Sequence, residues 1–189
     1  MAGRVVTSGG SLSERVIVVG TSGAGKTTLA GRIAARLGIE HIEIDALFHG
    51  PGWTPRPEFL EDVRAFAGRD AWVTEWQYEA ARPVLLERAT LAVWLDYPVW
   101  LRMSRSVRRT VRRRLRRAEL WNGNREGPLW RVLIDDDHII RWAWRTRHKY
   151  DDLRARLDAE GRADLPLVRL RSQAQADAWL AGVGGQVRG

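Results

Sequence analysis

The chain is 189 residues long, 44% hydrophobic and 29% charged, and 31 lysines and arginines against 23 acids give it a formal charge of +8. That length suits one domain burying roughly 70% of its unfolded surface, and the composition excludes an intrinsically disordered chain. The absence of cysteine removes disulfides, thiolate metal sites and thiol nucleophiles; with no apolar run of signal or spanning length, a cytoplasmic protein without a membrane partner is expected.

Residues 1–14, rich in Gly and Ser, read as a flexible leader, 15–182 as one domain and 183–189 as a tail. "RVIVVG", Arg15 to Gly20, predicts a short buried strand. "KTTLAGRIAARLG" then sets Leu29, Ile33 and Leu37 at four-residue spacing and stops at Gly38, which predicts a helix. "HIEI" predicts a second strand ending at Asp45, "FHGPGWTPRP" a stiff loop, and Glu58 to Ala67 a helix. "AWVTEW" predicts a third strand, 79–88 a helix and "TLAVWL", Thr90 to Leu95, a fourth strand. "LPLVRL", Leu165 to Leu170, reads as strand five and "QAQADAWLAGV" as the last helix. Strands alternating with helices predict a parallel sheet covered on both faces, a three-layer α/β fold.

About seventy residues separate strands four and five, far more than a crossover needs. They read as a helix from Pro98 to Arg117, a loop "AELWNGNREGPLW" and a helix from Arg131 to Glu160, with a lid over about 108–147. On the first helix Met103, Val107, Val111 and Leu115 recur every four residues and predict a stripe against the core. "RRTVRRRLRR", residues 108–117, holds seven arginines that would then face solvent or ligand. Arg109, Arg113 and Arg117 share one face. Of the ten tryptophans, Trp72, Trp76, Trp94, Trp100, Trp142, Trp144 and Trp179 are expected mostly in the core and Trp121 and Trp130 in the insertion loop. Asp135, Asp136 and Asp137 are consecutive and face different directions on a helix, so an acidic turn is expected there and not a metal site.

"GTSGAGKT" fits the phosphate-binding pattern G-x-x-x-x-G-K-[ST], placed between a strand and a helix as the mechanism requires. The loop Gly20, Thr21, Ser22, Gly23, Ala24, Gly25 would turn backbone N–H groups toward phosphate oxygens, with the helix start at Lys26, Thr27 and Thr28 adding positive potential. Lys26 would neutralise the β- and γ-phosphates and Thr27 would ligate Mg²⁺. Asp45 is placed to orient an acceptor hydroxyl or take its proton; a turn or helix-capping Asp is the plainer reading. Glu75, at the end of strand three, is a second metal candidate beside the plainer reading of a solvated strand end. Trp53 reads as a stacking platform or a plug of its own loop, His49 lacks a partner at metal spacing, and Tyr78, Arg56 and Arg82 are candidates on the acceptor side.

"GTSGAGKTTLAGRIAARLG", "HIEIDALFHGPGW", "WVTEWQY", "ERATLAVWLDYP", the arginine-rich helix and "WAWRTRHKY" together resemble the small P-loop proteins known as DNA topology modulation proteins. These belong with the adenylate-kinase-like and shikimate-kinase-like kinases. The likeness spans about Arg15 to Leu157. It implies a five-stranded sheet of order 2-3-1-4-5 with a helical lid, ATP and Mg²⁺ as cofactors, and roles for Lys26, Thr27, Asp45 and a post-lid arginine at Arg147. This chain departs from the family at Glu75-Trp76-Gln77-Tyr78, where relatives tend to carry an Asp-Gly-Asn-Tyr-like run. The expected activity is transfer of the γ-phosphate of ATP to a nucleotide, nucleoside or other small hydroxylated acceptor, with lid arginines such as Arg109 and Arg113 meeting phosphate. A nucleic-acid-linked ATPase and an ATP-binding regulatory protein are the alternatives. The first explains the charge but not the phosphate loop, and no nucleic-acid recognition motif accompanies it.

Overall fold

The computed structural model describes residues 14–115, 122, 148 and 150–183. Strand β1 (Arg15–Val19) leads into helix α1 (Lys26–Leu37) and strand β2 (His41–Ile42), followed by a short helix α2 (Ile44–Phe48) and a 3₁₀ turn (Pro51–Trp53). Helix α3 (Phe59–Ala67), strand β3 (Trp72–Glu75), helix α4 (Arg82–Arg88), strand β4 (Leu91–Leu95) and the long helix α5 (Val99–Leu115) come next. Helix α6 (Leu153–Ala159), strand β5 (Leu167–Leu170) and helix α7 (Gln173–Gly182) complete the described chain.

The five strands form one parallel sheet in the order β2-β3-β1-β4-β5. This is the expected fold. β1 sits in the middle and is buried on both faces, which is why its sequence is a continuous apolar run with no alternation. Ile17 and Val19 face one layer with Trp72, Phe59, Val63, Leu85, Leu153 and Leu157, supplied by α3, α4 and α6. Val16 and Val18 face the other, against Leu29, Ile33 and Leu180 of α1 and α7. Full burial of a side chain such as Ile33 contributes roughly 1.5–3 kcal/mol.

From β1 the chain moves through β2 and β3 on one side and later β4 and β5 on the other. The crevice at the carboxyl end of β1 is therefore the topological switch point where open α/β sheets bind ligands, and the phosphate-binding pattern begins there.

Two sequence expectations give way. Within the span expected as a helix from Arg131 to Glu160, Tyr150 to Asp152 form a turn and the described helix covers only Leu153–Ala159. α5 is also rotated relative to its apolar stripe: Ser106 and Thr110 are 0% exposed and Arg102 is buried, whereas Val107 is 39% exposed and Trp100, expected in the core, is 71% exposed. Close approach is the reason. A Cβ on Gly23 of the phosphate loop would lie 2.1 Å from the Arg102 carbonyl oxygen, and 3.2 Å from the Ser106 Cβ, so the loop packs directly on the helix at Ser106, where a small side chain is needed. The side chains of Arg113 and Leu115 lie outside the described residues. So do Arg117, Trp121, Trp130, Asp135 to Asp137, Trp142, Trp144, Arg147, most of the lid expected over 108–147, and residues 1–13 and 184–189.

This orientation is open to test by urea denaturation. Ser106→Leu forces extra volume against Gly23 and should lower stability by about 1–3 kcal/mol, whereas Val107→Gln on the open face should stay within about 0.5 kcal/mol of the parent. Equal costs would contradict the rotation.

Candidate active site

The loop after β1 folds back on itself through an Ala24 N–H to Thr21 carbonyl bond of 3.2 Å. Gly23 (φ 77°) and Gly25 (φ 93°) adopt the left-handed conformation that leaves backbone N–H groups turned inward, and Gly25 caps the start of α1. Lys26 Nζ reaches back to the Thr21 carbonyl at 3.4 Å, holding its charge beside the loop. Thr27 and Thr28 are exposed on the first turn of α1.

α5 supplies the other wall. Arg102 donates to the Thr21 hydroxyl, and Arg109 donates to Ser22 Oγ at 3.3 Å. Burial lowers the Arg102 pKa, with the charges of Asp96 and Asp151 opposing it. Buried with it, Ser106 Oγ and Thr110 Oγ1 have no hydrogen-bond partner among the described residues. The sequence does not single out Arg102, because the apolar stripe dominates the helix; the signal is the small polar pair four and eight residues further on. A cleft of about 340 Å³ opens beside Arg102, between the start of α5, His148 and Arg171.

Asp45 is not at a strand end. β2 stops at Ile42, and Asp45 lies in the first turn of α2, which begins where it does because Glu75 accepts the Ile44 N–H at 3.3 Å. Glu75 itself is 1% exposed, not at a solvated strand end. It lies 3.2 Å from His41 Nε2, and the Thr27 hydroxyl adds a smaller favourable interaction with its charge. Burial alone would raise its pKa, but these bonds and the His41 charge outweigh burial and hold the carboxyl below its ordinary value.

Asp45 Oδ1 accepts hydrogen bonds from Tyr78 Oη at 2.6 Å and Gln77 Nε2 at 3.0 Å, while Oδ2 accepts none among the described residues. Tyr78 Oη also lies 3.2 Å from His49 Nε2. Burial lowers the His49 pKa, partly offset by the Asp45 charge and a bond to the Trp53 backbone. Tyr78 has φ 56°, an uncommon conformation for a residue with a side chain, and its ring stacks on Phe48 at 3.9 Å and meets Phe59 edge-on at 5.3 Å. Trp53, 38% exposed, sets its ring edge-on to His49 at 5.0 Å.

Arg56 is engaged within its own segment, 3.0 Å from Asp62 Oδ2 and 3.2 Å from the Leu47 carbonyl. The Arg82 guanidinium lies 5.3 Å from the centre of the buried Trp76 ring and donates to Tyr150 Oη at 3.2 Å. It thus ties α4 to the chain entering α6. Asn122 donates to the His49 carbonyl at the end of α2. Among the described residues no cluster of three or more metal-binding side chains occurs, and no helix is long and apolar enough to cross a membrane.

The depressed Glu75 value gives a signed prediction. A carboxyl whose folded-state pKa is depressed contributes stability above its unfolded value, 4.5, and loses it as pH falls through the folded value. The stability gap between the parent and Glu75→Gln should therefore be full at neutral pH and shrink below the unfolded value in pH-dependent urea melts; a gap that widens on acidification would contradict it.

No family model matches the chain, and no curated protein matches it. Among solved structures it is similar to a gluconokinase from Sinorhizobium meliloti 1021, at 19% identity and TM-score 0.52, over 90% of this chain and 93% of that one. A sugar kinase from Janibacter sp. HTCC2649 is 22% identical with TM-score 0.47 over 89% and 92% of the two chains. Shikimate kinase from Acinetobacter baumannii in complex with shikimate is 18% identical with TM-score 0.48 over 88% of each chain. The likeness to the gluconokinase, together with the sheet order, shows the three-layer P-loop kinase fold.

Proposed function

We propose that the protein is an ATP-dependent phosphotransferase that moves the γ-phosphate of ATP to a hydroxyl of a small acceptor. The observation that carries this reading is the pairing of two half-sites on one sheet edge. A glycine-rich phosphate cradle with Lys26 lies on one side, and on the other stands a carboxylate, Asp45, with one oxygen held by Gln77 and Tyr78 and the other unclaimed by the described residues. The fold shared with a gluconokinase agrees with it, as does the narrower resemblance to the topology modulation proteins.

In this reading Gly20 to Thr28 hold the phosphates, Lys26 offsets their charge, and Arg109, with the arginines expected at Arg113 and Arg147, stabilises charge on the transferred group. Asp45 accepts the acceptor's hydroxyl proton, the oxygen so exposed bonds to the γ-phosphorus, and the bond to the bridging oxygen breaks with its electron pair leaving on ADP. Trp53 and Tyr78 wall the acceptor side, with Arg56 and Arg82 in supporting positions.

The residues fit Mg²⁺ as cofactor: Thr27 offers a hard oxygen at the loop's end, exposed on the first turn of α1. Bound there, Mg²⁺ would supply neutralisation of the β- and γ-phosphates. Glu75, buried and already accepting from His41 and the Ile44 amide, suits the role of holding the start of α2 better than that of a direct ligand.

An ADP-release screen with ATP and Mg²⁺ across sugars, sugar acids, nucleosides and nucleoside monophosphates tests this. At least one acceptor should raise ADP formation; Lys26→Ala should abolish it, and Asp45→Asn should lower kcat by about 10²-fold or more. ADP formation indifferent to every small acceptor but raised by DNA or RNA would overturn the reading in favour of a nucleic-acid-linked ATPase.

A further inference from the structure

Among the described residues the hydrogen-bond donors to Asp45 are neutral, and with His49 they form a chain. A phenol carries one proton, and the 2.6 Å contact with a carboxylate claims it, so Tyr78 donates to Asp45 Oδ1. The Tyr78 oxygen then meets His49 Nε2 at 3.2 Å as an acceptor, which calls for the imidazole proton on Nε2, in competition with the bond of that ring to the Trp53 backbone. We propose that Tyr78 and His49 are positioning residues for Asp45: His49 donates to Tyr78, Tyr78 donates to Oδ1, and Oδ2 is thereby turned toward the acceptor hydroxyl.

Three further observations support this arrangement. The Tyr78 ring is immobilised between Phe48, stacked at 3.9 Å, and Phe59, edge-on at 5.3 Å, so its hydroxyl has one place to point. Burial and the neighbouring charge of Asp45 push the Tyr78 pKa far upward, so Tyr78 keeps its proton and serves as a donor, never as a base. Gln77 supplies the second donor to the same oxygen, at 3.0 Å, so both hydrogen bonds fall on Oδ1 and neither on Oδ2. The carboxylate is thus fixed in rotation by two bonds on one side. A hydroxyl approaching the cradle meets the other oxygen, and one hydroxyl of a polyhydroxylated acceptor is selected by geometry. Asn122 donates to the His49 carbonyl at the outer end of the chain.

The chain itself stands independently of catalysis, whereas its role rests on the phosphotransferase reading, and the experiment separates the two. Nitrogen NMR of the ligand-free protein, above the pH at which His49 loses its charge, should show the His49 proton on Nε2. In Tyr78→Phe that tautomer preference should weaken. With the acceptor found in the ADP-release screen, Tyr78→Phe should lower kcat about ten- to hundredfold, the size of one hydrogen bond to a charged group, and leave the KM for ATP unchanged. His49→Gln, which keeps a donor at the same reach, should retain most of the activity that His49→Leu loses, at matched urea midpoints. An Nδ1–H tautomer, equal activities of the Gln and Leu variants, or a Tyr78→Phe effect confined to acceptor KM would overturn the proposal. The Nε2–H tautomer without any acceptor-dependent ADP release would instead overturn the phosphotransferase reading and leave the chain in place.

Discussion

The buried carboxylate of Glu75 is the group on which the site's geometry depends. Left without partners at 1% exposure it would shed its charge, because burial in a low-dielectric interior disfavours the ionised form. It keeps that charge because donors converge on it, His41 from β2 and the Ile44 N–H at the start of α2, with a smaller favourable contribution from the Thr27 hydroxyl of α1. One group thus joins the sheet edge to the start of α2. It also sets where α2 begins, since the Glu43 side chain makes no capping bond and Glu75 supplies the acceptor that the Ile44 amide needs. Asp45 is the next residue, and its position follows from that bond.

α5 shows the same logic applied to cations. Arginine is costly to bury, yet Arg102 lies against the phosphate loop with its charge directed at the Thr21 hydroxyl, and Arg109 reaches Ser22 two turns later. The contact of the helix with Gly23 calls for a small side chain at Ser106. A face of Arg, Ser and Thr beside a phosphate cradle is unfavourable packing in isolation and becomes sensible if the buried cations answer to an anion. Residues 108–117 therefore divide by orientation: Arg109 belongs to the loop side, whereas Arg108 and Arg112 are exposed.

Most of the fold was legible because it rests on local signals. β1 announces itself as an unbroken apolar run, α1 by its four-residue spacing and terminal Gly38, and the phosphate loop by a spacing that only one backbone geometry satisfies. The errors arose where a tertiary contact overrode a local one. Ile44 and Asp45 read as strand until the side chain of Glu75, thirty-one residues away, supplies a helix cap. Val107 and Trp100 read as core until the approach of Gly23 decides which side of α5 is covered. Hydrophobic periodicity states that a helix has faces and leaves open which face is buried when a polar partner competes. Tyr78, Gln77 and His49 were visible as residues near Asp45, but their ordering into one chain depends on a left-handed backbone at Tyr78 that nothing in its own sequence requires.

Among the described residues, the two that donate to Asp45 are neutral. A guanidinium within about 4–6 Å would favour the charged carboxylate and weaken it as a base, so an arginine placed directly on Asp45 would work against proton acceptance. The two arginines closest in sequence logic to the acceptor side are both engaged elsewhere, Arg56 by Asp62 and Arg82 by the rings of Trp76 and Tyr150. Gln77 and Tyr78 hold the carboxylate with neutral dipoles. On the proposed reading the described residues thus separate two roles, with positive charge gathered at the glycine-rich loop by Lys26, Arg102 and Arg109 and neutral donors directed at Asp45.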